Sequence, residues 1–322
     1  MLLRNATQAV IAALLLVVAS PIKRSYAAEA PVSALDELVV TGERPGPGMW
    51  HVHRGDAHMW ILGSLSPLPK GITWRAKQVD QLLSSTKQVL VQKPFDIGIP
   101  RILWLLITER NLLLVSGGKR LGDVLPAYLY ARFAAARVKY SGDTKKWERY
   151  RPIIASAFLQ QAAFHQVGLS LRLDLGAAVR NLAKKHHVHI EEIKMAGVSD
   201  LVDTLRSLTP AAENACVEAS LATIETGLPR LVDRAEAWAN GNVERLANLP
   251  EPKEIDVCRA LLEAGAGAHD LIASIRRTWL KNIEATLQHS GTSIAVVNLD
   301  LVTENGGLLD ELRAKGFEID SP

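Results

Sequence analysis

Residues 49–74, MWHVHRGDAHMWILGSLSPLPKGITW, contain the pattern that decides the fold. Apolar and polar residues alternate over residues 50–53, and residues 58–62 form a second, more apolar run. Both runs are typical of β-strands, and residues 54–56 (RGD) between them are typical of a turn. The stretch therefore predicts a β-hairpin whose second strand ends at Gly63.

Four further strands are predicted from short apolar or β-branched runs, at residues 88–92, 187–190, 293–299 and 317–319. Helical patterns dominate elsewhere, and residues 145–151 (KKWERYR) read as the start of one helix. Strands alternate with helices at both ends of the chain, whereas the middle is helical. This order predicts an α/β fold: a mixed central β-sheet flanked by helices, with a large helical insertion over about residues 211–290.

The composition indicates a folded protein without a nucleic-acid partner. A length of 322 residues and a hydrophobic content of 48% allow one large domain with a sizeable core. The formal net charge of +3 is too small to indicate nucleic-acid binding. No basic segment carries the aromatic residues that a base-stacking platform requires.

The N-terminus has the features of an export signal. Arg4 precedes an apolar run over residues 9–20, and small residues around Ala27 offer a cleavage site. We expect a signal peptide over residues 1–27 and a periplasmic or secreted protein. The basic pair at residues 23–24 leaves an uncleaved anchor as the alternative.

A linker is expected to separate this signal from the folded domain. Residues 28–48 are rich in proline, glycine and glutamate, and they cannot form a core. Residues 49–322 are expected to form a single domain. No later segment reaches about 18 uninterrupted apolar residues, so we expect no membrane span in the mature chain.

Two cysteines, Cys216 and Cys258, follow the predicted signal. An even pair in an oxidising compartment predicts a disulfide. The bond would close a loop of about 40 residues, which the chain-entropy model values at roughly 3–4 kcal/mol. Two buried thiols are the alternative.

Three histidines, His51, His53 and His58, lie close together on the predicted hairpin. Side chains two residues apart share a strand face, and the third histidine would oppose them across the turn. Three imidazoles at this spacing suit Zn, Cu or Ni. Because no carboxylate or cysteine reliably joins these histidines, the preferred interpretation is an exposed edge hairpin without a metal.

A second histidine group consists of His186, His187 and His189, followed by Glu191 and Glu192. Consecutive strand residues point to opposite faces, so these side chains cannot converge on one ion. A surface turn and strand is the preferred interpretation, and His189 with Glu191 is the better pair for a ligand.

The chain resembles the TraB/GumN family, in particular exported members from gammaproteobacteria. The resemblance is carried by residues 38–74, which end in the hairpin stretch, and by residues 293–319 (SIAVVNLDLVTENGGLLDELRAKGFEI). Residues 238–242 (WANGN) are similar to a tryptophan–glycine–acid element of the family, and Arg276 lies where the family usually has an Arg-Asn pair. The resemblance covers about residues 38–319.

The resemblance implies a site made of two Gly-x-x-His motifs and a glutamate, which in animal relatives are associated with metal-dependent proteolysis. This chain departs from the pattern at each position. Ser66 replaces the first histidine, Gln92 replaces the glutamate, and Asp300 stands at the closest match to the second histidine. A further family glutamate corresponds to Glu191 or Glu192.

With these ligands replaced, the resemblance implies the fold without the family's metal chemistry. We expect a non-catalytic, envelope-associated binding or accessory protein linked to exopolysaccharide biology, with no cofactor and a small polar, glycan or peptide ligand. The alternative is a metal-dependent hydrolase or peptidase that holds a divalent transition metal with Asp300, Glu192 and a hairpin histidine. The expected pocket residues are Gly63, Ser66, Gln92, Glu192, Arg276 and Asp300.

Overall fold

The computed structural model describes residues 44–70, 76–93, 110–171, 174–194, 198–249 and 271–322. The predicted signal peptide, most of the predicted linker and Cys258 lie outside these ranges. All the described residues belong to one compact unit, residues 43–322.

The described residues contain eight strands. In chain order they are β1 (Met49–Arg54), β2 (Ala57–Ser64), β3 (Leu68–Pro69), β4 (Thr86–Gln92), β5 (Leu169–Ser170), β6 (His189–Ile193), β7 (Gly291–Asn298) and β8 (Glu318–Asp320). The short strands β3 and β5 pair with each other, and the other six form the main sheet in the order β6-β4-β7-β2-β1-β8. Strands β6, β4, β7 and β2 run parallel, whereas β1 is antiparallel to both neighbours. The predicted mixed sheet is confirmed.

Helices flank this sheet, as the sequence predicts. In chain order they are α1 (Ala76–Leu83), α2 (Arg110–Leu113), α3 (Leu121–Val124), α4 (Ala127–Ser141), α5 (Pro152–Gln166), α6 (Leu175–Lys185), α7 (Val198–Ser207), α8 (Pro210–Ala222), α9 (Leu228–Ala239), α10 (Val243–Ala247), α11 (Leu271–Leu287), α12 (Leu299–Thr303) and α13 (Leu308–Ala314). Within the described ranges, no helix has both the length and the apolar character needed to cross a membrane.

The predicted hairpin is formed by β1 and β2. Its register runs from Met49 opposite Leu62 to Arg54 opposite Ala57. Side chains such as Val52 are completely buried, while alternate positions on the other face are partly exposed. The alternation in the sequence therefore produces one core face and one outer face, because successive strand side chains point to opposite sides.

The centre of the sheet is buried on both faces. Residues 293–297 of β7 are all buried, which is typical of a parallel strand covered by helices on both sides. The same core takes in Leu83 from α1, Val179 from α6, Ile283 from α11 and Leu312 from α13. The β-branched run in the sequence is thus the middle of the fold.

A second hydrophobic core is built mainly from helices. Leu129 and Phe133 of α4 pack there with Leu159 of α5 and Leu221 of α8, and all four are completely buried. Apolar residues four positions apart lie on one helix face, which explains the pairing within α4. The described helices of the predicted insertion at about residues 211–290 are divided between the two cores. Val217, Leu221 and Leu231 belong to this helical core, whereas Trp279 and Ile283 of α11 belong to the core of the main sheet.

The sequence prediction of a helix start at residues 145–151 is wrong. Trp147 has a φ angle of 65°, in the left-handed region that a right-handed helix does not contain. Tyr150 forms a β-bridge with Leu114, and α5 begins only at Pro152. Proline is tolerated there because the first N–H groups of a helix have no partner within it.

Candidate functional site

The four parallel strands end at one edge of the main sheet. β6 ends at Ile193, β4 at Gln92, β7 at Asn298 and β2 at Ser64. Ligands of open α/β sheets bind outside this carboxyl edge. The topology therefore places three of the predicted pocket residues, Gly63, Gln92 and Glu192, near strand ends at this edge.

Asp300 lies at this edge, in the first turn of α12. The side chain of Asn298 caps the helix and accepts hydrogen bonds from the N–H groups of Asp300 and Leu301, at 2.9 and 3.3 Å. Asp300 Oδ1 accepts a hydrogen bond from Arg234 Nη2 at 2.8 Å. The Arg234 side chain is only 3% exposed, and its Nη1 donates to the carbonyl of Leu249. The Asp300 carboxylate is thus the counter-ion of a buried arginine.

A cavity of about 200 Å³ adjoins this ion pair. Arg234 and Asp300 contribute its charged groups, and its apolar wall includes Trp50, Leu246 and Leu299. Typical small-molecule sites have volumes of about 300–1,000 Å³, so this cavity is small. Its two charged groups already neutralise each other.

Gly63 packs tightly against Leu299 and Trp50, two residues that line this cavity. A Cβ atom added to Gly63 would stand 2.7 Å from Leu299 Cδ1 and 3.1 Å from Trp50 Cζ3. Its carbonyl oxygen accepts a hydrogen bond from the indole nitrogen Nε1 of Trp238 at 2.7 Å. The close approach of two side chains and an indole N–H explains why glycine stands at this position.

Arg180 of α6 contacts two of the predicted pocket residues. Its Nη2 donates to the backbone carbonyl of Gln92 at 3.0 Å, and its Nε lies 3.5 Å from Glu192 Oε1. Strand β6 runs to Ile193, so Glu191 and Glu192 lie inside the strand, on opposite faces, and not after it as the sequence suggests. Glu192 is therefore paired with a cation on the sheet surface.

Ser66 and Arg276 have different surroundings. Ser66 is exposed in the loop after β2. Arg276 of α11 donates to Glu304 Oε1 at 2.6 Å and to the carbonyl of Gly306 at 2.9 Å, so it braces the turn after α12. Three of the predicted pocket residues, Asp300, Glu192 and Arg276, thus belong to three separate ion pairs, with Arg234, Arg180 and Glu304 respectively.

The hairpin histidines form a cluster with a carboxylate that the sequence analysis missed. His51 lies opposite Trp60 in β2 and opposite Asp320 in β8, and His53 lies opposite His58. His51 Nδ1 is 3.1 Å from Asp320 Oδ2, and His53 Nε2 is 3.5 Å from the same oxygen. The other nitrogen of His51, Nε2, is 3.2 Å from His58 Nδ1. We call His51, His53, His58 and Asp320 the hairpin cluster.

The rings of the hairpin cluster stack on one another. The centroid of the His51 ring lies 4.8 Å from that of His53, 5.3 Å from that of His58 and 4.5 Å from that of Trp60. The side chains of His51 and His53 are 21% and 22% exposed, whereas Asp320 is 69% exposed. Stacking restricts the imidazoles, while the carboxylate at the surface can rotate.

A larger cavity, of about 380 Å³, adjoins the hairpin cluster. His51, Trp60 and Asp320 line one part of it, and polar side chains such as Asn240 line another. Residues 45–48, which the sequence assigns to the linker, also line it. The N–H of Gly46 donates to the carbonyl of Ala239 at 3.0 Å, and Arg44 forms an ion pair with Glu236.

The hairpin cluster and Asp300 lie at opposite ends of β2. His58 is near the start of the strand and Ser64 is at its end. At about 3.3 Å per residue, their Cα atoms are roughly 20 Å apart. The alternative metal site, which combines a hairpin histidine with Asp300 and Glu192, is therefore not assembled.

Of the second histidine group, His186 contacts an acid on another helix. Its Nε2 is 2.8 Å from Asp80 Oδ1 in α1. The pKa of Asp80 is lowered, first by this hydrogen bond and further by the nearby charge of Lys185, although burial acts in the opposite direction. His189 Nε2 lies 3.6 Å from Glu191 at the surface.

The fold and these contacts define an α/β protein whose polar groups gather at two separate places on one mixed sheet. The model of the TraB/PrgY/gumN family matches residues 48–321. The chain therefore belongs to the TraB/PrgY/gumN family. Searches of the curated proteins and of the solved structures found no match.

Proposed function

We propose that this chain is an exported, non-catalytic member of its family that binds a small polar, glycan or peptide ligand in the cell envelope. The observation that carries the proposal is the ion pair between Asp300 and the buried Arg234. Asp300 is the residue that stands closest to the position of the family's second histidine. Its carboxylate stabilises a buried guanidinium, which is a structural task.

The other replaced positions support the absence of catalysis. Ser66 and Gln92 offer neither a base nor an anionic ligand, and Glu192 lies beside Arg180. Serine chemistry requires a base within hydrogen-bonding reach. No histidine of the described ranges stands at the replaced motif positions.

The larger cavity supports a binding role. Its volume of about 380 Å³ lies in the range of small-molecule sites. Trp60 offers an aromatic face, and Gln78, Asn240 and Asp320 offer hydrogen-bonding groups. An aromatic ring beside amide and carboxylate groups suits a sugar or peptide, which has both apolar and polar surfaces.

The proposed location rests on the N-terminal sequence. The apolar run at residues 9–20 and the small residues near Ala27 support export and cleavage. The resemblance to exported gammaproteobacterial members supports an envelope role. One branch of the family is named from an exopolysaccharide gene cluster, and this association is the basis for proposing a glycan ligand.

Calorimetric titration with short oligosaccharides and short peptides tests the binding role. We expect one class of probe to bind, and Trp60→Ala and Asn240→Ala each to weaken its binding about tenfold, which corresponds to about 1.4 kcal/mol. Tyr128→Ala, which removes an aromatic ring that is 56% exposed on α4, is the matched control and should bind normally. Binding that is the same in both cavity variants and the control would contradict the proposal.

A further inference from the structure

We propose that His51, His53 and Asp320 bind a divalent transition metal ion on the outer face of the sheet formed by β1, β2 and β8. This site differs in position from the replaced family motifs. The inference goes beyond the proposed function, because metal binding can be measured without any glycan or peptide.

The ligand atoms already lie close to the separations that a metal requires. One ligand atom from each of His51, His53 and Asp320 lies within 4.8 Å of the other two. Nitrogen and oxygen ligands stand about 2.0–2.2 Å from Zn²⁺ in tetrahedral sites, so they are roughly 3.3–3.6 Å apart. Asp320 Oδ2 lies 3.5 Å from His53 Nε2, which is inside this range, and 3.1 Å from His51 Nδ1, which is slightly below it.

The residue types select the kind of metal. Two imidazoles and one carboxylate suit Zn²⁺, Fe²⁺, Co²⁺ or Ni²⁺, whereas Ca²⁺ and Mg²⁺ prefer oxygen ligands alone. Three protein ligands leave at least one coordination position for water or another molecule. His51 and Asp320 also line the larger cavity, so this position adjoins a space that a ligand can enter.

His58 and Trp60 support the site without ligating the ion. A metal-ligating histidine usually forms a hydrogen bond through its second ring nitrogen, which fixes its orientation. His51 Nε2 is 3.2 Å from His58 Nδ1, while its Nδ1 faces Asp320. The Trp60 ring stacks on His51 at 4.5 Å between centroids and limits its rotation. Both supports come from strand residues and not from loops, so the position of His51 is well defined.

A surface ion pair explains the cluster less well. One histidine is enough to pair with Asp320, yet two imidazoles approach the same carboxylate oxygen and a third contacts His51. A metal ion binds the neutral imidazoles and compensates the carboxylate at the same time.

Titration of the purified protein with Co²⁺, followed by visible absorption, tests the site, and calorimetry with Zn²⁺ gives the stoichiometry. We expect one ion per chain and a spectrum of low-coordinate Co²⁺. Loss of an outer partner commonly costs 10–100-fold in affinity, so His58→Gln should weaken binding by about that factor. His53→Ala and Asp320→Asn each remove a ligand and should weaken binding by about 100-fold or more.

Two control variants locate the ion. His189→Ala removes an exposed histidine that also lies near a carboxylate, Glu191, and Asp300→Ala removes the acid at the carboxyl edge. Both should bind the metal normally. Absence of stoichiometric binding, or binding that survives both His53→Ala and Asp320→Asn, would overturn the inference. Circular dichroism of each variant tests whether the fold is retained. The substituted residues of the hairpin cluster are partly or fully exposed, so these substitutions do not alter the core.

Discussion

The indole N–H of Trp238 donates a hydrogen bond to the carbonyl oxygen of Gly63 over 2.7 Å, in the interior of the protein. The bond ties the end of α9 to the carboxyl end of β2. Trp238 is 1% exposed. One contact therefore joins residues 238–242 to the end of the hairpin strand β2, two parts of the chain on which the sequence resemblance is based.

Trp238→Phe should destabilise the protein, because the carbonyl of Gly63 loses a buried hydrogen-bond donor. Leaving a buried polar group without a partner costs about 1–3 kcal/mol. The free energy of unfolding, measured by urea denaturation, should fall by this amount. The slope of this free energy against urea concentration (the m value) should not change. An unfolding free energy equal to that of the wild type would show that the hydrogen bond has no structural importance.

Gly63→Ala should also destabilise the protein, for a steric reason. The new methyl group would approach Leu299 Cδ1 to 2.7 Å, and overpacking in a core costs about 1–3 kcal/mol. The double variant Gly63→Ala/Leu299→Ala should lose less unfolding free energy than the sum of the losses of the two single variants. The reason is that the methyl group added at residue 63 would fill part of the space left by the shortened side chain at residue 299. Additive losses would mean that the two side chains do not meet.

Asp300→Asn should destabilise the fold by leaving Arg234 without its counter-ion. Breaking a fully buried pair costs about 3–5 kcal/mol; since Asp300 is 35% exposed, we expect about 1–3 kcal/mol. Asp233→Asn is the matched control, because Asp233 pairs with Arg245 at 3.3 Å with both side chains about half exposed. The control should change stability by less than about 1 kcal/mol. Equal effects of the two substitutions would contradict a structural role for Asp300.

The contact between Asp80 and His186 should make stability depend on pH in the acid range. The pKa of Asp80 in the folded state is lowered from the ordinary value of 3.8, chiefly by its hydrogen bond with His186. A lowered pKa contributes stability that is present above pH 3.8 and is lost as the pH falls through the folded-state pKa. The stability difference between wild type and Asp80→Asn should therefore be largest near neutral pH and disappear in strong acid. A difference that stays constant from neutral to strongly acidic pH would contradict this assignment.

The predicted disulfide gives a further test. Cys216 is completely buried, while Cys258 lies outside the described residues, so the bond between them stays a prediction. Mass spectrometry of a digest without reductant should find the two cysteine peptides joined. Replacement of both cysteines by serine should lower stability by roughly 3–4 kcal/mol. Separate peptides in the digest would favour the alternative of two thiols.

Local patterns predicted the elements of the fold well, because hairpin alternation and β-branched runs are properties of neighbouring residues. The hairpin and the buried strand β7 are clear from the sequence for this reason. Residues 145–151 misled the prediction, since their charges and aromatic residues fit a helix while Trp147 adopts a positive φ angle. In the folded protein, Tyr150 instead pairs with Leu114 in a β-bridge, a contact between residues distant in sequence that a local pattern does not indicate.

The site could be predicted only in part, because its contacts are distant in sequence. Asp320 is 269 residues from His51, and only the pairing of β8 with β1 brings them together. Arg234, which donates a hydrogen bond to Asp300, is 66 residues away from it in the sequence. The start of the short helix α12 after β7 could be predicted from the sequence, however, because Asn298 is a favourable N-cap residue.

The central claim is that this family member binds its ligand without converting it. The most direct test incubates the purified protein with short peptides and oligosaccharides, with and without Zn²⁺, and follows the probes by mass spectrometry. The account predicts that all the probes remain intact at the rate of the protein-free control. Cleavage that requires the protein, and that Asp300→Ala or Asp320→Ala abolishes, would contradict the account.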